Sequence, residues 1–331
     1  MRRLVRAGVV LAGAVLAASA LWLLTRGADT PAARDERPAE EAAPNLPATG
    51  VPRTGSTPEQ TSPPPRIGSR AEMAAFLTAR GLNAERILNE YQAWREARGF
   101  FDAGPLANPL GTESPAGAYA RLDASELREK LESDELPAIQ EDAVRTEAVD
   151  SQGALAKYMG AAQKGSTAAM FGVSRTLDRI ADLQREDASS DPELAARLRD
   201  WRNMDGSTDI RQEALAWSLA ALRIDGPAVL DRKRLAQVEA MAKQLTADQQ
   251  RLACAESSRF FGGYRANNGG SEYPRGVPPP VFVAEPDLKE RLPCRDTDNP
   301  VNPPRSHERC QSFPARDATD RLIEIWICPE N

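Results

Sequence analysis

Four cysteines and a single histidine are the residues of this chain best suited to covalent or metal chemistry. The cysteines are Cys254, Cys294, Cys310 and Cys328, and in an exported protein they allow two disulfides with three possible connectivities. The rival is a zinc site in which His307 joins the last three cysteines. That site has a His-x-x-Cys pair but no Cys-x-x-Cys knuckle. For an oxidising compartment we therefore predict two disulfides, with no metal or other cofactor.

The spacing of the cysteines favours one connectivity over its two rivals. Cys294 and Cys310 are 16 positions apart in a proline-rich stretch, so their bond closes a local loop. That pairing leaves Cys328 for Cys254, and the second bond then ties the end of the chain to the last predicted helix. A segment this short has too little apolar surface to hold itself in place without such a bond.

Patterns that indicate catalysis are scarce elsewhere. His307 stands among prolines, as a solvated loop residue does, and it is the only histidine available for a triad. Gly262-Gly263 and Gly269-Gly270 lack the spacing of a phosphate-binding loop. Acidic pairs such as Glu126 and Glu129 fall on predicted helix surfaces, which favours solvated charge over acid–base work. We predict that the protein is not an enzyme and has no small-molecule substrate.

Composition and charge restrict the fold and the partners. Aromatic residues are only 5% of the chain and hydrophobic residues 41%, so a core must be built mainly from Ala and Leu. Such a core favours closely packed helices, because Ala is small and the best helix former. The net charge is −6, and the only charges in residues 1–26 are arginines, so the remainder is more acidic still. An acidic surface repels phosphate backbones, which predicts no nucleic-acid partner.

Residues 1–26 are predicted to form a membrane segment. Arginines precede an uncharged run of 19 residues, Ala7 to Thr25, which at about 1.5 Å per residue nearly spans a hydrocarbon core of about 30 Å. The arginines favour a cytoplasmic N-terminus and an exported remainder. Cleavage after Ala18-Ser19-Ala20 would instead give a secreted or periplasmic protein. Because Leu21 to Leu24 continue the apolar run, we predict a retained anchor in a bacterial inner membrane, with the bulk of the chain in the periplasm.

The segment that follows, residues 27–69, is predicted to be a disordered linker. It contains nine prolines and no aromatic residue. It cannot bury enough surface to offset its conformational entropy.

Residues 70–261 have the apolar periodicity of helices joined by tight turns. Asp123 and Glu126 form a capping-box pattern, and Thr246 with Gln249 forms another. Gly165 is predicted to end a helix with positive φ. The pattern favours antiparallel hairpins stacked into an arc, with a closed bundle as the alternative.

The C-terminal tail, residues 262–331, shows the only strand-like alternation. Val281 to Val283 and Ile323 to Ile327 are predicted to be two short strands in an irregular, disulfide-linked region. In the middle of the chain, Ser190-Asp191-Pro192-Glu193 predicts the start of a further helix.

The stretch from Ala154 to Gly172 resembles a Sel1-like repeat, a unit related to the tetratricopeptide repeat. Its Ala-rich helix ends in Lys164-Gly165-Ser166, and the next helix carries Ala168 and the pair Phe171-Gly172. Ala214 to Gly226 is similar to the second helix of such a unit, and Leu245 to Ala255 resembles a closing helix. The resemblance covers about residues 118–260. It departs from the family at Arg175, where the family has Tyr, and residues 184–209 interrupt the repeat spacing.

The resemblance implies an all-α fold in which helical hairpins stack as an α-solenoid, and a concave face that binds a protein or peptide. It implies no catalysis, and it fits a bacterial envelope location. We therefore predict a membrane-anchored periplasmic scaffold for protein–protein interaction. The alternatives are an envelope enzyme that uses carboxylates in a helical groove, and a spacer without a specific ligand. A cleft carboxyl group with a strongly raised pKa would favour the enzyme.

Overall fold

A computed structural model describes residues 63–100, 116–147, 149–186, 209–265, 277–294 and 309–328. The predicted anchor, most of the predicted linker, the helix predicted to open at Ser190, and His307 lie outside these residues. No helix within the described ranges is long and apolar enough to cross a membrane.

Helices dominate the described residues, and three short strands lie near the C-terminal end. The helices are α1 (Arg70–Thr78), α2 (Ala84–Glu96), α3 (Ala116–Arg121), α4 (Ala124–Glu132), α5 (Leu136–Glu147), α6 (Ser151–Gln163), α7 (Thr167–Glu186), α8 (Ile210–Asp225), α9 (Arg232–Lys243), α10 (Ala247–Arg265) and α11 (Leu288–Arg291), with a 3-10 turn at Gly226–Val229. The strands are β1 (Val281–Ala284), β2 (Gln311–Arg316) and β3 (Leu322–Ile327).

The helix ends follow the local sequence signals. Asp123 and Glu126 form the predicted capping box at the start of α4. Thr246 and Gln249 bond reciprocally at the start of α10. Gly165 has φ of 103° in the turn after α6, as predicted, because glycine has no Cβ to clash in that conformation.

Sequential helices pack as neighbours: α5 on α6, α6 on α7, and α7 on α8. Helix α8 also packs against α10, and every residue of α8 except Glu213 and Arg223 is buried. A helix covered on all sides lies at the centre of its domain, and the many alanines of α8 allow that close approach. The prediction of helices without strands between residues 120 and 255 is confirmed for the described part of that range.

The strands form one antiparallel sheet in the order β1-β3-β2. Ile327 of the central strand is paired with Val281 on one side and with Gln311 on the other. The two predicted strands are confirmed, and β2 was missed because Pro314 interrupts its pattern. Proline is tolerated there because β2 lies at the edge of the sheet next to β3.

The end of the predicted linker belongs to the folded body, which corrects the boundary placed at residue 69. The main-chain N–H of Arg316 donates to the oxygen of Pro65 (2.8 Å), and the N–H of Ile67 donates to the oxygen of Arg316 (2.7 Å). Ile67 is 1% exposed and lies in the core. Composition indicated disorder for the whole segment because pairing with a strand about 250 residues away leaves no local signal.

The disulfides join Cys254 to Cys294 and Cys310 to Cys328, so the predicted pairing was wrong. Cys310 and Cys328 directly flank the paired residues Gln311 and Ile327, which brings them face to face. The first bond joins α10 to the stretch after β1. Because these bonds occupy every cysteine of the chain, the zinc alternative has no thiolate ligand in this structure.

Candidate binding groove

A groove of about 170 Å³ opens between helices α3, α5, α6 and α7 and the turn that follows α2. We call it the Tyr158 groove. It is lined by Gly99, Phe100, Tyr119, Pro137, Gln140, Glu141, Val144, Tyr158, Ala168, Gly172, Arg175 and Arg234. Three of these twelve residues are aromatic, but Phe100 and Tyr158 are only 1% and 3% exposed, so Tyr119 is the one whose ring a ligand could reach.

The floor of the groove depends on a glycine in α7. A Cβ added at Gly172 would lie 2.6 Å from Cε1 of Tyr158, closer than real side-chain atoms approach. Without that Cβ, the Tyr158 ring of α6 rests directly on the backbone of α7. The pair Phe171-Gly172 in the sequence is therefore the signal of a close helix contact.

A charged cluster fixes the Tyr158 ring at one end of the groove. Arg175 donates to both carboxylate oxygens of Glu147, at 2.7 and 3.2 Å, and to the Tyr158 hydroxyl at 2.8 Å. The Tyr158 hydroxyl in turn donates to Glu147 at 3.2 Å. The bidentate geometry sets the plane of the guanidinium.

The pKa values of this cluster follow from its burial and its charges. Burial is the main cause that raises the pKa of Tyr158 to about 12. Burial also acts to raise the pKa of Glu147, but the hydrogen bonds and charge of Arg175 outweigh it and leave that pKa below its ordinary value. Glu147 is thus an ionised partner of Arg175, without the raised pKa that a general acid needs.

Arg175 keeps hydrogen-bonding capacity for a ligand. Its side chain is 44% exposed, and its Nη1 has no hydrogen-bond partner among the residues that the structure describes. Arg175 also lines the groove, so its guanidinium lies beside that space.

Tyr119 of α3 forms the opposite wall. Its hydroxyl donates to Glu135 at 2.6 Å, and this bond is the main cause that raises the pKa of Tyr119 to about 12. Arg145 of α5 donates to the carbonyl oxygens of Tyr119 and Leu122, at 3.1 and 2.9 Å. Since the last carbonyls of a helix lack partners within it, Arg145 caps α3 and holds this wall on α5.

A buried polar node lies beneath the groove and sets the turn after α2. Arg98 donates from Nε to Asp225 at 2.7 Å, and Thr167 donates to the other oxygen of the same carboxylate. The carbonyl of Arg98 accepts the N–H of Ala168 at 3.0 Å and the hydroxyl of Ser166 at 3.2 Å. The node therefore joins the turn after α2 to α7 and α8. It also positions Gly99 and Ala168, which line the groove next to Arg98 and Thr167.

The rim and the base of the groove differ in exposure. Val144 lies on the rim with 52% of its surface exposed, whereas Phe100 at the base is 1% exposed. The guanidinium carbon of Arg234 lies 4.7 Å from the centre of the Phe100 ring, a cation–π contact that covers the base. Val149, just beyond α5, is 87% exposed and does not line the groove.

The predicted site residues lie elsewhere. None of the four cysteines lines the Tyr158 groove, since they join α10 and the sheet. In the described ranges, no group of three or more His, Cys, Asp or Glu side chains could hold a metal ion. In the sequence, Tyr158 was only one unremarked residue of the repeat-like stretch and Arg175 only a departure from it, so the groove itself was missed.

No protein-family model, curated protein or solved structure that was compared with this chain matches it. The Sel1-like resemblance therefore rests on the residues quoted for it, and both family membership and the solenoid arrangement stay predictions.

Proposed function

We propose that this chain is a membrane-anchored periplasmic scaffold that binds a segment of a protein partner in the Tyr158 groove. The observation that carries the proposal is the lining of the groove: the partly exposed ring of Tyr119, an exposed aliphatic rim at Val144, and the partly exposed guanidinium of Arg175. Apolar surface with a few placed polar groups is the usual composition of a binding site.

The location is supported by two independent features. The apolar run in residues 1–26 is long enough for an anchor and follows several arginines. All four cysteines are paired, which is compatible with an oxidising compartment. Mass spectrometry of the mature protein tests the anchor: we expect an intact N-terminus in the membrane fraction. A soluble protein that begins near Leu21 would contradict it.

Site-specific photocrosslinking in the native cell envelope tests the groove. A photoreactive residue at position 144 should give a discrete adduct with one protein, identified by mass spectrometry. The same residue at position 149 should not, although Val149 is the more exposed of the two valines.

The identified protein should then bind the purified wild-type chain and lose at least tenfold in affinity for the Val144→Asp variant. Equal adducts at both positions, or unchanged affinity in Val144→Asp, would show that the groove is not the binding surface. A complete lack of adducts at position 144 would favour a spacer without a specific ligand.

A further inference from the structure

We propose that residues 63–68 form a strap that blocks the outer edge of strand β2, so that the sheet cannot pair with a second copy of this chain. The strap includes no residue that lines the Tyr158 groove. Three features carry the proposal: the exposure of one sheet edge, the contacts of the strap with that edge, and the lack of main-chain donors along the rest of it.

Only one of the two edge strands of the sheet is open to solvent. In the order β1-β3-β2, the outer strands are β1 and β2. Every residue of β1 is buried, and β1 packs against α2 and the 3-10 turn at Gly226–Val229. In β2, by contrast, Gln311, Ser312 and Pro314 are exposed. Strand β2 is therefore the edge at which another extended segment could add to the sheet.

The strap occupies one end of this edge. Arg66 forms a parallel bridge with Arg316, and the main-chain bonds of 2.8 and 2.7 Å described above use both the N–H and the carbonyl oxygen of Arg316. The Arg66 guanidinium also donates to the carbonyl oxygen of Ala318. Gly68 fits closely against the same hairpin, since an added Cβ would lie 2.8 Å from the Cβ of Ala318. With Ile67 buried in the core, these contacts hold the strap along β2.

The rest of the edge is poor in hydrogen-bond donors. Main-chain groups point to alternate sides along a strand, and those of Arg316 point away from β3, so those of Ser312 and Pro314 do as well. Proline has no N–H, so Pro314 loses no bond within its own sheet but offers another strand only a carbonyl oxygen. The three prolines that begin the strap, residues 63–65, likewise bring no N–H to this edge.

A second copy of the chain would otherwise fit this edge. Two β2 strands could pair antiparallel about a two-fold axis, the commonest symmetry of homo-oligomers, with Ser312 of each copy opposite Arg316 of the other. Arg316 is the only charged residue of β2, and the two arginines would lie at opposite ends of the pair, so no charge within β2 repels the second copy. The block is instead in the main chain, because the strap uses the outward groups of Arg316 and the two Pro314 residues at the axis exchange no bond.

Sedimentation velocity of the full-length chain in detergent tests the strap through the protein mass of the complex. Gly68→Val should push the strap away from Ala318, and Pro314→Thr should restore the missing N–H with a residue favoured in strands. We expect the double variant Gly68→Val/Pro314→Thr to double the protein mass relative to wild type. Adding Ser312→Pro to the double variant should return the mass to that of wild type, because it removes another outward N–H.

Two matched variants control for the substitutions themselves. Gly160→Val adds the same side chain where a new Cβ meets nothing within 4 Å, and Ser312→Thr adds threonine to β2 at a residue that already has its N–H. Both should keep the wild-type mass, and circular dichroism checks that every variant is folded. If Gly68→Val does not fold, Gly68→Ala, which adds the Cβ alone, replaces it in the double and triple variants.

Three outcomes would overturn the strap as a block on self-association. The first is an unchanged mass in the folded double variant. The second is an equal increase of mass in Ser312→Thr, which would make strand preference alone the cause. The third is a doubled mass that persists after Ser312→Pro is added, which would place the contact between copies away from the edge of β2.

Discussion

Replacing Arg98 with methionine is the perturbation for which the structure gives the clearest magnitude. The Asp225 side chain is fully buried, and that of Arg98 is 3% exposed. In Arg98→Met the carboxylate would keep its bond from Thr167 but lose its charged partner. Breaking a buried ion pair by removing one partner costs about 3–5 kcal/mol, because an uncompensated charge stays buried. We expect a loss of that size.

The double variant Arg98→Met/Asp225→Leu should behave differently from Arg98→Met. Removing both charges removes the desolvation penalty along with the attraction, so the double variant should be more stable than Arg98→Met alone. The two changes should therefore be strongly non-additive, as expected for residues in direct contact. Arg98 also stacks over Trp94, with its guanidinium carbon 4.0 Å from the ring, and methionine can retain part of that packing.

Urea unfolding followed by circular dichroism measures these differences. The control is Glu90→Ala, which breaks the exposed i,i+4 pair with Arg86 at 3.2 Å on helix α2. Such surface pairs are worth about 0.3–0.5 kcal/mol, so this variant should stay close to wild type. A loss below about 1 kcal/mol in Arg98→Met, or additive effects in the double variant, would refute the account of the node.

Three further predictions use the same stability measurements or simple chemistry. Gly172→Ala should destabilise the protein by about 1–3 kcal/mol, because its Cβ would overlap the Tyr158 ring. Gly160→Ala has open space around the new Cβ and should stabilise the protein by about 0.5–1 kcal/mol. The opposite order of melting temperatures would contradict the close contact at Gly172. Because the pKa of Glu147 is lowered in the folded state, its contribution is present above the unfolded pKa and lost as pH falls through the folded value. Glu147→Gln should thus be less stable than wild type at neutral pH, and the difference in urea midpoint should narrow as the pH falls below the ordinary pKa of a glutamate, about 4.3. A difference that stays constant with pH would refute the pairing with Arg175. Non-reducing peptide mapping should link Cys254 to Cys294 and Cys310 to Cys328, and a Cys294–Cys310 peptide would contradict the observed sheet.

The helices were predictable because their determinants are local. The capping box of Asp123 and Glu126 and the glycine at 165 act within one turn, and both lie where the sequence placed them. The residues at the centre of the core were harder to predict from the sequence. Leu215, Leu219 and Leu222 mark one face of α8, but burial of its alanine faces depends on what packs there.

The errors concern pairings that are distant in sequence. The cysteine prediction relied on the shortest loop that could be closed, which is sound only if no other element brings two cysteines together. Strand β2 does so, because its antiparallel register with β3 places Cys310 beside Cys328. Because Pro314 interrupts the strand pattern, β2 was not predicted. Without β2, no pattern in the sequence favoured a bond between Cys310 and Cys328.

Arg175 shows why the groove could not be derived from the sequence alone. In the repeat-like stretch it stands only as a residue that departs from the family's tyrosine. Its chemistry arises from Glu147 and Tyr158, which are 28 and 17 positions away and which helices α5 and α6 bring to it. The three side chains bond to one another at one end of the groove. A residue that departs from the repeat pattern therefore ties helices α5, α6 and α7 together, and the Glu147→Gln variant tests that role.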